Sequence, residues 1–120
     1  MRWLTEVQWE MIHRGAQRPL ARATDAQMAA FGSQMSDCHA NAQRCVAVQP
    51  SWQIIRGCLV SGNGMVMKHL VVKTDEGVLL EITPQHSWTD WECASFRVWT
   101  GPIEVFDSLP AHGYFLLHSD

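Results

Sequence analysis

The chain has 120 residues, a formal net charge of −3 and 47% hydrophobic residues. This length predicts one compact domain over residues 1–120, and the balance of apolar and charged residues is typical of a globular chain rather than a disordered one. The net negative charge argues against a nucleic-acid partner. No apolar run approaches the roughly 18 residues of a membrane span, and no signal sequence is recognised, so we expect a cytoplasmic protein without a membrane partner.

The first half of the chain is predicted to be helical, because apolar residues recur there at three- and four-residue spacing. The predicted helices cover, in chain order, residues 3–14, 25–31 and about 37–47. Gly15 and Gly32 are the expected stops of the first two helices. Thr24 or Asp25 is the expected cap of the second helix, and Ser36 is the expected N-cap of the third, because a hydroxyl can accept from a free N–H of the first turn.

The second half is predicted to form strands, because it is rich in β-branched and apolar residues separated by turn residues. The predicted strands cover, in chain order, residues 52–61, 65–74, 78–83, 96–99, 103–106 and 114–117. Pro84 is expected to stop the third of these strands. Helices followed by an antiparallel sheet predict an α+β fold.

The turn that ends at Gly77 predicts how the second and third strands pair. Three turn residues with glycine last are typical of a type I turn followed by a left-handed residue. That turn places Thr74 opposite Val78, and the same register makes His69 and Glu81 diagonal neighbours on one face of the hairpin. A shift of one residue would put them on opposite faces.

Cys38, His69 and Glu81 are candidate catalytic residues because their order and settings are those a Cys-His-acid hydrolase needs. Cys38 is expected near a helix N-terminus, where free N–H groups favour the thiolate, and a neighbouring imidazolium lowers the thiol pKa further. Glu81 has apolar neighbours and needs a partner if it is buried, and His69 is the nearest in this register. Gln34 is the candidate side-chain donor to an oxyanion, beside the Cys38 backbone N–H.

Three motifs carry a family resemblance: Ser-Asp-Cys-His-Ala-Asn-Ala at 36–42, Lys-His-Leu-Val-Val at 68–72 and Leu-Leu-Glu-Ile-Thr-Pro at 79–84. They resemble the papain-like and transglutaminase-like cysteine hydrolase superfamily over about residues 34–84. The resemblance implies a minimal member, with the helix that carries Cys38 packed on an antiparallel sheet. It also implies acyl transfer through a thioester, as in peptidases, deamidases, transglutaminases and acyltransferases, without a cofactor and with a protein or peptide substrate. Glu81 departs from the Asp or Asn that the larger families usually carry.

Two other functions stay open. The chain has six tryptophans, and Trp88 and Trp91 lie near Trp99 in sequence, so they could line a substrate cleft or form the contact surface of a non-catalytic binding module. A metal site is a weaker alternative, with ligands drawn from the following residues: Cys38, His39, Cys45, His69, His112 and His118. The four cysteines have no C-x-x-C spacing, so we expect no metal, and Cys45, Cys58 and Cys93 are expected to be buried apolar side chains.

Overall fold

The computed structural model describes residues 2–34, 37–61, 65–84, 95–109 and 115–116. The helices in this part of the chain are α1 (Glu6–Arg14), α2 (Asp25–Phe31), α3 (Cys38–Val48) and α4 (Ile103–Ser108). The strands are β1 (Arg2–Trp3), β2 (Gln17–Arg18), β3 (Ala21–Arg22), β4 (Gln53–Val60), β5 (Met65–Lys73), β6 (Leu79–Glu81), β7 (Ser95–Val98) and β8 (Phe115–Leu116). The protein is therefore mixed α+β, as the sequence predicts.

The chain divides into two compact units, and strands β4 and β5 contribute residues to both. The first unit comprises Met1–Arg18, Arg56–Lys68 and Thr89–Asp120, and the second comprises Pro19–Ile55 and His69–Trp88. The single domain expected over residues 1–120 stays a prediction. Cys38, His69, Glu81 and Gln34 all belong to the second unit.

The first unit is built on paired strands with helix α1 beside β7. Strand β8 pairs with β1 in parallel and with β5 in antiparallel fashion, and β7 is antiparallel to both β4 and β2. Its most deeply buried side chains include Leu4, Ile12, Phe96 and Phe106. Gly15, at the end of α1, has no room for a side chain, because a Cβ there would lie 1.9 Å from the carbonyl oxygen of Val98.

The second unit combines helices α2 and α3 with a three-stranded arrangement. Strand β6 lies between β5, to which it is antiparallel, and β3, to which it is parallel. The backbone N–H of Ala23, just after β3, donates to the carbonyl of Glu81 at 2.9 Å. The core of this unit consists of apolar side chains, which include Met28, Phe31, Ala42, Cys45, Leu70, Val71, Val72, Leu79, Leu80 and Ile82.

The two N-terminal helices begin at threonine caps. Thr5 and Thr24 each accept the N–H of the residue three positions on and form a complete capping box, so α1 begins at Glu6 and not at residue 3. The bounds of α2 and its Thr24 cap are confirmed. Gly32 ends α2 with φ of 68°, a left-handed conformation that glycine adopts without a steric cost.

Other predicted elements also differ from the structure. Residues 103–106 are not a strand: they begin α4, because Pro102 fixes a suitable φ at the N-cap and its carbonyl accepts from the N–H of Phe106 at 3.3 Å. Helix α3 begins at Cys38 with Asp37 as its N-cap, one residue later than predicted. Ser36 lies outside the described residues, and the two-residue strands β1, β2 and β3 are not predicted from the sequence. None of the helices in the described part of the chain has the length and apolar character needed to cross a membrane.

Candidate active site

The hairpin of β5 and β6 has the register that its turn predicts. Val72 lies opposite Leu80, and the backbone N–H of Thr74 donates to the carbonyl of Val78 at 2.9 Å. Gly77 has φ of 82°, the left-handed conformation expected at the last position of this turn. The predicted pairing is therefore confirmed, and it places the side chains of residues 69 and 81 on one face.

His69 and Glu81 form a buried hydrogen-bonded pair on that face. Nε2 of His69 lies against Oε2 of Glu81, and the two residues are only 3% and 4% exposed. The other carboxylate oxygen, Oε1, accepts the backbone N–H of Thr83 at 3.0 Å. Burial of a carboxylate is costly without partners, and here both oxygens have one. The predicted juxtaposition of His69 and Glu81 is thus confirmed, while their catalytic roles stay predictions.

Cys38 is half-buried at the first position of α3, beside the histidine. Burial opposes ionisation of its thiol, but a hydrogen bond with the His69 side chain, the imidazolium charge and the backbone N–H of Leu70 together lower the pKa of Cys38. Because Nε2 of His69 faces Glu81, Nδ1 is the nitrogen left to face the thiol. The first N–H groups of a helix lack intrahelical partners, which adds a positive partial charge next to Cys38.

The pKa of His69 is raised although the ring is buried. Burial alone would lower the pKa, but the charge of Glu81, with hydrogen bonds to Cys38 and Glu81, raises it from 6.5 to about 10. The raised pKa favours the imidazolium form of the ring, which lies between a carboxylate and a thiol. This is the charge distribution that favours a thiolate in a Cys-His pair.

The other described cysteines have the opposite character. Burial raises the pKa of Cys45 to about 11 and, for Cys58, to about 12. Their side chains are free thiols in the interior, as the sequence predicts. Cys93 lies outside the described residues. Of the three thiols described, only that of Cys38 has a lowered pKa.

Asn41 is the residue at this site that sequence reasoning missed. Its side chain is fully buried one turn after Cys38, and Oδ1 accepts the backbone N–H of Gln34 at 2.8 Å. Nδ2 donates to the carbonyl of Gln34 at 2.7 Å and to Oγ1 of Thr83 at 3.0 Å. Oδ1 also accepts from Nη2 of Arg44 at 3.0 Å. The available signal was a polar side chain on the face of the helix that also carries Ala42 and Cys45.

The other predicted site residues are Gln34, Trp88 and Trp91, and of these the structure describes only Gln34. Gln34 is exposed, and the side chain of Asn41 holds the Gln34 backbone. The role of Gln34 as an oxyanion donor stays a prediction. Trp88 and Trp91 lie outside the described residues. Trp99 packs within the first unit, with its ring 5.6 Å from that of Phe106 and Nε1 donating to the carbonyl of Pro102 at 3.0 Å.

Metal ligands do not gather in the described part of the chain. No three His, Cys, Asp or Glu side chains among the described residues lie close enough together to hold a metal ion. His39 is exposed, and its Nε2 lies 3.3 Å from the side-chain nitrogen of Gln43. His112 and His118, two of the candidate ligands, lie outside the described residues.

No protein-family model, curated protein or solved structure matches this chain. The resemblance of residues 34–84 to papain-like and transglutaminase-like hydrolases therefore stays a prediction. We therefore base a proposal for the function on what Cys38, His69 and Glu81 can do chemically.

Proposed function

We propose that the protein is a cysteine-dependent acyl-transfer enzyme with a Cys38-His69-Glu81 triad on a papain-like core. One observation carries the proposal: His69 is buried between the carboxylate of Glu81 and the thiol of Cys38, which opens a helix. A nucleophile, a base in reach of it and a third group that orients the base are the parts of nucleophilic catalysis.

Glu81 is assigned the orienting role. Its contact with Nε2 keeps Nδ1 of His69 directed at the thiol and stabilises the imidazolium charge. Its second oxygen is held by the backbone of Thr83, so the carboxylate cannot rotate away without the loss of a hydrogen bond. The thiolate of Cys38 is the nucleophile, activated by that imidazolium and by the helix N-terminus.

The reaction proceeds in two steps. In the first, Sγ of Cys38 attacks a carbonyl carbon, a C–S bond forms, and His69 passes its Nδ1 proton to the leaving group as the bond to that group breaks. The product is a thioester on Cys38. In the second, His69 takes a proton from water or an amine, which attacks the thioester carbon and releases Cys38 as a thiolate. Water gives hydrolysis, and an amine gives transfer.

The oxyanion formed in each step requires hydrogen-bond donors. The backbone N–H of Cys38 lies in the first turn of α3, where the helix supplies no acceptor for it. Gln34 is the proposed side-chain donor, and its backbone is fixed to α3 by Asn41. Trp88 and Trp91 are the proposed apolar contacts for the substrate, for which a protein or peptide acyl group is the chemistry we favour.

The decisive experiment compares the iodoacetamide labelling of each cysteine as a function of pH, with the sites mapped by mass spectrometry. We expect Cys38 alone to label rapidly below pH 7, and we expect His69→Ala to abolish this. His39→Ala is the matched control, because His39 neighbours Cys38 in sequence but is exposed on the helix. If Cys38 in the wild type reacts no faster than an ordinary thiol of pKa about 8.5, the proposed function is wrong.

The reaction class is then tested by a panel of acyl donors. Peptides, glutamine side chains and acyl thioesters would be incubated with the wild type and with Cys38→Ala, and the intact protein mass would be followed. A covalent adduct of the acyl group, located on Cys38 and absent from Cys38→Ala, is the expected result. Release of ammonia, a free peptide or a transferred acyl group distinguishes deamidation, hydrolysis and transfer.

A further inference from the structure

The carboxamide of Asn41 joins the two segments that flank the candidate triad. On one side it holds both the N–H and the carbonyl of Gln34, four residues before Cys38. On the other side it donates to Oγ1 of Thr83, whose own N–H donates to Glu81. A continuous set of hydrogen bonds therefore runs from the segment before the nucleophile to the carboxylate that faces His69.

We propose that Asn41 is a positioning residue for the triad: one buried side chain holds the Gln34 backbone and, through Thr83, the Glu81 carboxylate. The inference rests on the proposed function, since it assigns Asn41 a role in that reaction. Asn41 touches neither the thiol nor the imidazole in this set of contacts, so it acts through Gln34 and Thr83.

The burial of Asn41 argues for a specific role over general packing. A buried amide is unfavourable unless it is hydrogen-bonded, and the neighbouring core positions Ala42 and Cys45 show that apolar side chains suit this face. Each carboxamide atom is used: Oδ1 has two donors, and Nδ2 has two acceptors. A fully satisfied network of this kind makes one arrangement of its partners much more favourable than others.

Two consequences follow for the chemistry. The two-point contact with Gln34 holds the backbone of that residue, and with it the base of the proposed oxyanion donor. The contact with Thr83 limits the movement of the N–H that holds Glu81, and so limits rotation of the carboxylate against His69. Loss of Asn41 should therefore loosen the acid–base pair even though no group of the triad is removed.

The test uses Thr83→Val as its main variant. Valine keeps the shape and the backbone N–H that Glu81 accepts, but it removes the oxygen that Asn41 contacts, while Thr83→Ser retains that oxygen. Asn41→Ala removes the whole set of contacts. Arg44→Ala is the matched control, because it removes one donor to Oδ1 and leaves the contacts of Asn41 with Gln34 and Thr83 in place.

Two readouts separate positioning from plain stability. The first is the NMR titration of the His69 ring in a Cys38→Ser background, which removes the titration of the Cys38 thiol from the measurement. The second is the pH profile of Cys38 labelling in the full chain. We expect the His69 midpoint to fall and Cys38 labelling at pH 6 to drop about tenfold in Thr83→Val and Asn41→Ala, with Thr83→Ser and Arg44→Ala close to the wild type. The double variant Asn41→Ala/Thr83→Val should lose little more of its Cys38 labelling than Asn41→Ala alone, because the effects of substitutions within one network are not additive.

The inference is overturned if Thr83→Val and Asn41→Ala lower the unfolding midpoint but leave the His69 titration unchanged. That result would assign Asn41 a purely structural role. Should Asn41→Ala fail to fold, Thr83→Val and Thr83→Ser decide the question by themselves. Ordinary reactivity of Cys38 in the wild type would instead refute the proposed enzyme, and the His69 titration in Cys38→Ser would still show whether Asn41 holds the pair.

Discussion

Thr83 donates its backbone N–H to the carboxylate of Glu81, two residues earlier in the chain, at 3.0 Å. The main chain just beyond β6 thus holds one oxygen of the acid, and the other oxygen is left for His69. A glutamate has one methylene more than an aspartate, and this contact limits the freedom that the extra methylene would otherwise give. The position of the carboxylate is therefore set by the end of its own strand.

Replacement of the acid should deactivate the thiol. In Glu81→Gln, His69 loses its charged partner, so the imidazolium is less favoured. The Cys38 thiolate is then less favoured as well, because the imidazolium lowers the pKa of Cys38 by more than the charge of Glu81 raises it. We expect the labelling rate of Cys38 at pH 6 to fall by roughly tenfold or more, measured by iodoacetamide modification. Glu76→Gln, on the exposed turn of the same hairpin, should leave the rate unchanged. Equal rates in wild type and Glu81→Gln would remove Glu81 from the triad.

The buried histidine should make stability depend on pH. The pKa of His69 in the folded chain, about 10, lies above its value of 6.5 in the unfolded chain, so the folded state binds the extra proton between these values. The contribution of His69 to the free energy of unfolding should then be fully present below about pH 6.5 and be lost as the pH rises towards 10. The measurement is urea unfolding of Cys38→Ser at several pH values, since the lowered pKa of the Cys38 thiol contributes with the opposite sign.

Cys38→Ser/His69→Asn supplies the comparison for this pH dependence. Without the imidazole, the decline between neutral pH and pH 10 should be smaller. A slope that is the same in both proteins would show that His69 does not carry a raised pKa in the folded chain.

Gly77 should be replaceable only at a conformational cost. Its φ of 82° is unfavourable for a branched side chain, whereas a Cβ there would meet no atom within 4 Å. We expect Gly77→Val to lower the free energy of unfolding by about 1–2 kcal/mol, because the cost lies in the backbone alone. Gly77→Asn should lose less, since asparagine tolerates this conformation. Equal losses in the two variants would contradict this explanation, and denaturant titration measures both.

The helix that carries Cys38 should depend less on its cap than α2 does. Thr24 accepts the N–H of Gln27 at 3.1 Å, so Thr24→Ala should cost about 1 kcal/mol of stability. Asp37 makes no side-chain cap bond, and its pairing with Arg44 at 3.8 Å is largely exposed to solvent. Asp37→Ala should therefore cost less than about half as much in urea unfolding. A larger loss for Asp37→Ala than for Thr24→Ala would show that α3 is capped in another way.

Sequence reasoning succeeded where the determinants are local. The bounds of α2 follow from Thr24 and Gly32, which act within one turn of the helix. The hairpin register follows from a turn with glycine in its last position, and through it the pairing of His69 with Glu81 was predictable.

Sequence reasoning failed where tertiary contacts decide the outcome. The run of Ile103 to Phe106 is a local exception: it is short, with Glu104 among apolar residues, which does not distinguish a strand from a helix, and its position after Pro102 favours the helix. Asn41 was not identified because its partners, Gln34 and Thr83, lie 7 and 42 residues away. No periodicity within α3 indicates that an amide there has such partners.

The two parts of the site are expected to form at different stages of folding, with the His69–Glu81 pair first and the contact with Cys38 later. His69 and Glu81 are 12 residues apart across a tight turn, and hairpins of this kind close in roughly 1–10 μs. Cys38 reaches them only when α3 packs against the hairpin, which requires closure of a longer loop. We therefore expect a nascent or partly unfolded chain to carry a thiol of ordinary pKa, and we expect the pKa of Cys38 to fall only once this unit is complete. Iodoacetamide reactivity at neutral pH is in this sense a reporter of folding as well as of chemistry.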